Sequence, residues 1–213
     1  GEFYSDEGFF EEAVKIMASY EGKFCTTLVS VTTHVPFYLD GVSDLDNKLT
    51  LTLDDVSEFE DDTLGRYLIS CNFVDYAFGK FIDGLEETGL IDNSILIVYG
   101  DHGASIWSST KEVHVPFGMK IPGVESDEII NRSVAKIDIK PTILDLLGVE
   151  DKLSLGTTIF SNKDYSFIKG LGFVTSTNYC INGTYYDRET IEEIEENEEL
   201  LSLLNQMEDE IYL

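Results

Sequence analysis

The chain has 213 residues, and 43% of them are hydrophobic, which is enough for a domain with a buried core. It carries 41 acidic and 14 basic residues, giving a formal net charge of −27. A surface of this charge repels phosphate backbones and anionic headgroups, so we exclude nucleic-acid binding. It attracts divalent cations, but weakly and without specificity.

The cysteine spacing and the hydropathy of the chain argue against several further classes of protein. Cys25, Cys71 and Cys180 are widely spaced without a C-x-x-C pair, which argues against a zinc cage and a disulfide framework. Cys25 and Cys71 lie in apolar patterns, which predicts buried thiols. No apolar run approaches the ~20 residues of a membrane span, and no signal peptide is recognisable. Because the chain begins at Gly1 without methionine, we expect a processed or excised piece of a longer protein.

The first part of the chain alternates helical and extended patterns. Ser5 or Asp6 can cap a first helix, which Gly22 ends. The β-branched and apolar residues 24–31 predict a buried strand that leads into His34.

The middle of the chain combines an acidic excursion with a long helix. Residues 40–62 are polar and acidic, and we interpret them as a surface loop. Their aspartates resemble a calcium loop only faintly, because the glycine of an EF-hand turn is missing. Apolar spacing predicts an amphipathic helix over 64–85, capped by Gly89. Residues 94–99 are an unbroken apolar run, typical of a central strand covered on both faces.

The C-terminal part adds strands and an acidic helix. A strand is predicted over 113–121, and a short helix runs from Pro141 to Leu147. Residues 167–186 form strands around an Asn-Gly turn, and residues 190–210 predict a Glu-rich amphipathic helix. The order of these elements predicts an α/β class fold, a layered sheet with helices on both faces.

Asp101 and His102 are the best candidate site. They directly follow a predicted buried strand, and ligands of open α/β sheets gather at the carboxyl ends of strands. Gly100 and Gly103 would let the backbone turn sharply and approach an ion. A carboxylate beside an imidazole suits a divalent metal such as Mn²⁺ or Zn²⁺. The alternative is a simple turn with a capping aspartate.

His34 is the second candidate, because it also follows a predicted strand and could reach the same sheet edge. It could contact an anionic substrate oxygen or act as a general acid, or it could be a hydrogen-bonded loop histidine. His114 lies inside a predicted strand, which favours a structural role. Trp107 and Lys111 lie in a loop that could carry substrate contacts. No serine lies in a G-x-S-x-G elbow, so a hydrolase triad is poorly supported.

Several segments resemble sulfatases and phosphoglycerol transferases of the alkaline phosphatase superfamily. Residues 92–103, with Asp-Asn-Ser, an apolar strand and Gly-Asp-His-Gly, are similar to their "dNs-strand-GDHG" segment. Residues 115–123 resemble the strand that runs from a V-P to a P-G pair, and residues 138–148 resemble the "D-x-x-P-T-x-L-x-L-x-G" helix. The "H-x-P-F" segment at 33–37 and the hairpin at 179–187 look like those of lipoteichoic acid synthases.

This resemblance implies a sulfatase-like catalytic fold over residues 1–160, with a hairpin and acidic helix, 161–213, packed on the same domain. It implies metal-dependent transfer at phosphorus or sulfur, in which Asp101 and His102 would be metal ligands and His34 would contact the substrate or leaving group. Mn²⁺ is the expected ion, with Mg²⁺, Ca²⁺ and Zn²⁺ as alternatives.

The same resemblance implies that part of the active site lies elsewhere. In lipoteichoic acid synthases the nucleophile is a threonine near the start of the domain, with a further acidic ligand still earlier, and neither has a match here. We therefore expect the chain alone to be inactive, with a sheet edge exposed where further strands would pair.

The parent protein is accordingly expected to be a phosphoglycerol transferase acting on an anionic lipid headgroup. Upstream transmembrane helices would anchor it at the extracellular face of the bacterial membrane. The alternatives are a sulfatase or phosphonate or phosphate ester hydrolase, and a non-catalytic binding or cell-wall module of the same fold. The oligomeric state is left open.

Overall fold

The structure is a computed structural model, and it describes residues 5–37, 39, 42, 44–51, 54–56, 62–104, 106, 115–126, 129–168 and 172–211. The chain divides into two compact units, Gly1–Glu125 and Ser126–Leu213. The helices are α1 Asp6–Ala18, α2 Asp62–Glu87, α3 Ile139–Leu146 and α4 Glu198–Ile211. The strands are β1 Leu96–Tyr99, β2 Phe117–Lys120, β3 Tyr165–Ile168, β4 Gly172–Thr175, β5 Asn178–Ile181, β6 Thr184–Asp187 and β7 Glu193–Ile194.

Two helices form the core of the first unit. The Ser5 hydroxyl caps α1 by accepting the Gly8 N–H at 3.3 Å, as predicted. The apolar face of α1 packs against that of α2, and one hydrophobic cluster joins them: Phe10, Ala13, Val14, Met17, Ala77, Phe81, Leu85 and Ile91. The predicted helix over 64–85 is confirmed as α2, and Gly89 adopts the left-handed conformation of a C-terminal cap, with φ 70°.

The extended segments of this unit differ from the prediction. Residues 24–31 form no strand, and Val29 and Val31 are 68% and 65% exposed. β1 pairs only with β2 among the described residues, antiparallel, so it is not the central strand predicted over 94–99. Apolar strands are buried by neighbours on both sides, and the described residues give β1 one neighbour and residues 24–31 none.

The second unit contains an antiparallel meander of five strands in the order β3-β4-β5-β6-β7. The predicted Asn-Gly turn is confirmed between β5 and β6, where Asn182 and Gly183 have φ of 52° and 78°. The core of this unit is built from the sheet and α4, and its buried members are Phe167, Phe173, Cys180, Tyr185 and Leu200.

The helix predicted over 190–210 is wrong in its first part. Glu193–Ile194 is strand β7, paired with β6, and α4 begins only at Glu198. The Asp187 carboxylate accepts the N–H groups of Glu189 and Thr190 at 3.0 and 2.8 Å, which turns the chain back toward the sheet. Ile194 then packs on the sheet core, so tertiary contact overrides the helical pattern.

The segment that resembles the "D-x-x-P-T" helix is built around a buried aspartate. α3 confirms the short helix predicted from Pro141, and Gly148 follows it with φ 67°. Asp138 precedes this helix and is only 1% exposed. Its carboxylate accepts the Ala135 N–H at 3.0 Å, the Thr157 N–H at 2.9 Å and the Ser166 hydroxyl at 2.5 Å. The motif's aspartate therefore stabilises the second unit.

The remaining predictions have mixed outcomes. The boundary predicted at residue 160 falls inside the second unit. Whether residue 160 divides two functional parts stays a prediction.

All three thiols are free, but Cys25 is exposed, because the segment around it is not buried as predicted. Cys71 is half-buried, and burial raises the pKa of the buried Cys180 thiol. None of the described helices is both long and apolar enough to cross a membrane.

Candidate metal centre and histidine turn

Asp101 and His102 lie in contact just beyond the carboxyl end of β1. The His102 N–H donates to Asp101 Oδ1 at 2.9 Å, and His102 Nε2 lies 3.4 Å from Asp101 Oδ2. The His102 side chain is 67% exposed, and the Asp101 side chain is 79% exposed. The pair predicted from sequence is thus brought together on an open surface, where a ligand can reach both polar ends.

The orientation of the His102 ring determines which nitrogen can bind a cation. Nδ1 lies 2.9 Å from the Gly103 carbonyl oxygen. A carbonyl only accepts hydrogen bonds, so Nδ1 donates to it, and Nε2 is the ring nitrogen left for a ligand. Nε2 is also the nitrogen that faces the Asp101 carboxylate. A cation that binds Nε2 would take the place of the proton that the carboxylate otherwise favours there.

This donor set fits part of a divalent metal site. One carboxylate and one imidazole suit Mn²⁺ or Zn²⁺, but two side chains do not complete a coordination sphere. In the part of the chain that the structure describes, no cluster of three or more His, Cys, Asp or Glu side chains could hold an ion. A tight site would need further ligands.

Gly100 is required for close approach of two segments. A Cβ at this position would lie 3.0 Å from Val115 Cβ and 3.3 Å from Pro116 Cδ. The Gly100 N–H also donates to the Pro116 carbonyl at 3.0 Å. The sharp turn expected here is not the reason for the glycine, because its φ lies outside the left-handed region. The glycine instead lets the segment before the Asp-His pair lie against residues 115–116.

We expect Gly100→Ala to lower the free energy of unfolding by about 1–3 kcal/mol, the usual cost of an added methyl group in a tight contact. Gly118→Ala is the matched control, because a Cβ there meets nothing within 4 Å. Urea unfolding followed by circular dichroism measures both variants. Equal midpoints for the two variants would show that residues 115–116 move aside without cost.

His34 lies at the exposed corner of a tight turn. Its N–H donates to the Val31 carbonyl at 2.9 Å, and the Phe37 N–H donates back to the His34 carbonyl at 2.9 Å. The peptide bond between Val35 and Pro36 is cis. His34 Nδ1 lies 2.6 Å from the Val35 carbonyl oxygen, so the neutral ring has its lone pair on Nε2. The exposed ring can contact a ligand through this nitrogen.

A carboxylate that sequence patterns give only as an alternative helix cap takes part in this turn. Asp6 is 4% exposed, and it accepts the N–H groups of Val31 and Thr32, both at 3.1 Å. The sequence carries no signal for this role, because the contact joins residues 25 and 26 positions apart. His34 belongs to the same compact unit as Asp101 and His102, and its role beside them stays a prediction. The other candidates lie outside the described residues: Trp107, Lys111 and His114.

Comparisons with known proteins place these motifs in a family context. Residues 1–149 match the family model described as Sulfatase. Lipoteichoic acid synthase 1 of Bacillus subtilis (strain 168) is 27% identical over 230 aligned positions, which cover 98% of this chain and 34% of that protein. Lipoteichoic acid synthase of Staphylococcus aureus (strain USA300) is 30% identical over 209 aligned positions, which cover 88% of this chain and 31% of that protein. The chain thus spans about a third of the length of these relatives.

The fold also matches a solved structure. A protein in the alkaline phosphatase superfamily from Vibrio parahaemolyticus superposes with a TM-score of 0.71 at 20% sequence identity. The match covers 97% of this chain and 53% of that one. At this identity the likeness shows a shared fold, and it confirms the predicted fold class.

Proposed function

Because the chain belongs to the sulfatase family, we propose that it forms part of a metal-dependent phosphoglycerol transferase resembling the lipoteichoic acid synthases. The observation that carries this proposal is the Asp101–His102 pair, in which His102 Nδ1 lies against the Gly103 carbonyl and Nε2 faces the carboxylate. The similarity to proteins named lipoteichoic acid synthases favours transfer to or from a phosphodiester. Asp101 and His102 would supply two of the metal ligands.

The chemistry follows from the charges involved. A bound divalent cation, for which Mn²⁺ is the best match, would neutralise charge on the phosphoryl oxygens during transfer. The chain itself carries a net charge of −27, so such a cation would also offset the repulsion between this chain and an anionic headgroup. In the neutral ring, His34 Nε2 would accept a hydrogen bond from a substrate hydroxyl. In the doubly protonated ring, it would donate a hydrogen bond to an anionic substrate oxygen or a proton to the leaving oxygen.

The proposal requires further parts of the protein. A threonine nucleophile and a further acidic ligand would come from a segment outside this chain, so the chain alone would be inactive. We propose that the complete protein is anchored in the membrane and works at its extracellular face on an anionic lipid. The chain covers 34% and 31% of two relatives named lipoteichoic acid synthases, which supports the proposal that the complete protein has further parts.

The test begins with the coding sequence upstream of Gly1, followed by expression of the complete protein. We expect apolar spans and then a threonine at the end of a strand. The complete protein should release diacylglycerol from phosphatidylglycerol in the presence of Mn²⁺, transfer the glycerol phosphate through the threonine to an acceptor hydroxyl, and leave aryl sulfate esters intact. The isolated chain, assayed in parallel, should turn over neither.

Other outcomes assign other functions. A Cys- or Ser-type sulfatase signature upstream, with hydrolysis of sulfate esters, would replace the transferase by an ester hydrolase, which the family match also allows. Turnover of a phosphodiester by the isolated chain would contradict the proposed division of the site. A complete protein that binds no metal and turns over no ester would leave a binding module.

A further inference from the structure

We propose that Asp6 is a positioning residue for His34, in that its buried carboxylate fixes the turn that presents the histidine ring to a ligand. The inference rests on the proposed function only for what His34 contacts. The positioning itself is a property of this chain, and four sets of contacts support it.

The first contacts join Asp6 to the segment before the turn. Each carboxylate oxygen accepts one backbone N–H, from Val31 and from Thr32, both at 3.1 Å. The carboxylate is 4% exposed and lies in the first turn of α1, where the helix dipole stabilises negative charge. A buried carboxylate that accepts two N–H groups is a strong anchor, because losing it leaves both donors without their acceptor.

The second set of contacts carries this anchor to His34. The Thr32 N–H that Asp6 accepts belongs to the same planar peptide unit as the Val31 carbonyl, and that carbonyl accepts the His34 N–H at 2.9 Å. Asp6 therefore fixes the peptide plane that in turn fixes the histidine backbone. Helix capping does not account for this arrangement, because Ser5 already caps α1.

The third set of contacts holds the other side of the turn. Phe37 is 3% exposed, and its ring lies edge-on to the Tyr67 ring of α2, with 5.3 Å between centroids. Phe37 also has φ 63°, a conformation that costs a non-glycine residue free energy and persists only where its surroundings impose it. Both ends of the turn are therefore held, while the His34 ring between them is exposed.

The fourth set of contacts prevents the Asp6 turn of α1 from rotating. The neighbouring Glu7 forms an ion pair with Lys48 at 2.5 Å and accepts the Tyr76 hydroxyl of α2 at 3.1 Å. Both charged side chains of this pair are largely buried, and the hydrogen bond to Glu7 raises the pKa of Lys48. The first turn of α1 is thus fixed to α2, and Asp6 has a rigid base from which to hold the His34 turn.

The test records long-range ¹H–¹⁵N spectra of the isolated chain with ¹⁵N-labelled histidine, assigned with His34→Gln. The wild type should show His34 protonated on Nδ1. Asp6→Ala and Asp6→Asn should lose this pattern and give the mixed tautomers of a free imidazole, with Asp6→Asn intermediate because its amide oxygen still accepts one N–H. Glu12→Gln is the control, because Glu12 lies on the same helix with its side chain 59% exposed.

The outcomes separate positioning from stability and from function. An unchanged His34 pattern in Asp6→Asn with a lowered unfolding midpoint would overturn the proposal and make Asp6 a stabilising residue only. If Asp6→Ala does not fold, the nearly isosteric Asp6→Asn still decides. In the complete protein, a lost pattern should accompany a fall in kcat/KM on the order of 10²-fold, the cost of a misplaced group. A lost pattern with unchanged turnover would refute the role of His34 and leave the positioning intact.

Discussion

Replacing Asp138 with alanine should lower the free energy of unfolding of the second unit by about 3–5 kcal/mol. Its carboxylate accepts hydrogen bonds from Ala135, Thr157 and Ser166, and each donor left unsatisfied costs about 1–3 kcal/mol, though the costs are not additive. The site cannot relax easily. A Cβ on Gly156 would lie 2.3 Å from the Ile137 carbonyl oxygen, so the two backbone segments already touch.

The backbone of Asp138 strengthens the same network. Thr142 donates its hydroxyl to the Asp138 carbonyl at 2.6 Å and accepts the Ile159 N–H at 3.0 Å. Since two motif residues, Asp138 and Thr142, each tie α3 to the segment that follows it, losing either should loosen the same region. Asp138→Asn should be intermediate, because its side-chain oxygen still accepts from some of these donors while its NH₂ group faces at least one donor.

Urea unfolding with Asp145→Ala as the matched control measures this effect. Asp145 lies on α3, is exposed, and accepts one hydrogen bond, from Thr158 at 2.8 Å. Its replacement should cost less than about 1 kcal/mol. Equal losses for Asp138→Ala and Asp145→Ala would show that water satisfies the donors around Asp138, and the structural role would then be wrong.

The elements that the sequence predicts well depend on local chemistry. α2 follows from apolar residues at helical spacing, α3 from Pro141 at its start, and the β5–β6 hairpin from the Asn-Gly turn. Each depends on residues close together in the chain, so the pattern contains most of the information that fixes it. The family resemblance, based on ordered motifs, is confirmed by the Sulfatase match for the same reason.

The elements that the sequence predicts poorly depend on neighbouring strands and on contacts between residues that are distant in the chain. The apolar runs at 24–31 and 94–99 indicate strands between two neighbours, but a sequence does not show which neighbours are present. β7 shows the opposite case, in which a Glu-rich helical pattern gives way to pairing with β6. Asp138 and Asp6 both have roles that come from contacts with residues distant in sequence. Periodicity contains no information about such contacts.

In the candidate site, too, the local sequence predicts some features, and only the folded structure determines the others. Asp101 and His102 are adjacent in sequence, but adjacent side chains on a strand point to opposite faces, so their contact depends on the bend of the backbone after β1. The hydrogen bond of His102 Nδ1 depends on the direction of the Gly103 carbonyl, and the path of the segment before the pair depends on Gly100 lying against Val115. Both are products of the folded backbone. The sequence therefore identifies the donors, and the structure shows which donor atom is available.

Mn²⁺ binding by the isolated chain should depend on Asp101 and His102. We expect Asp101→Asn and His102→Gln each to weaken Mn²⁺ binding by at least about 10–100-fold, a loss that changes outside the ligand shell already cause in metalloproteins. Titration followed by Mn²⁺ electron paramagnetic resonance measures the free ion. In the complete protein the same two changes should abolish turnover.

The control must separate a site from a diffuse attraction, because 41 acidic residues draw cations to the whole surface. Asp92→Asn removes the same charge at another exposed position of the same unit and should leave site binding unchanged. Added salt should weaken the diffuse attraction, because exposed charges are screened over about 3 Å at 1 M ionic strength, whereas direct ligation persists. If Asp101→Asn and Asp92→Asn weaken binding equally, and salt removes it in both, the cation is held by net charge alone, and Asp101 and His102 are not ligands in this chain.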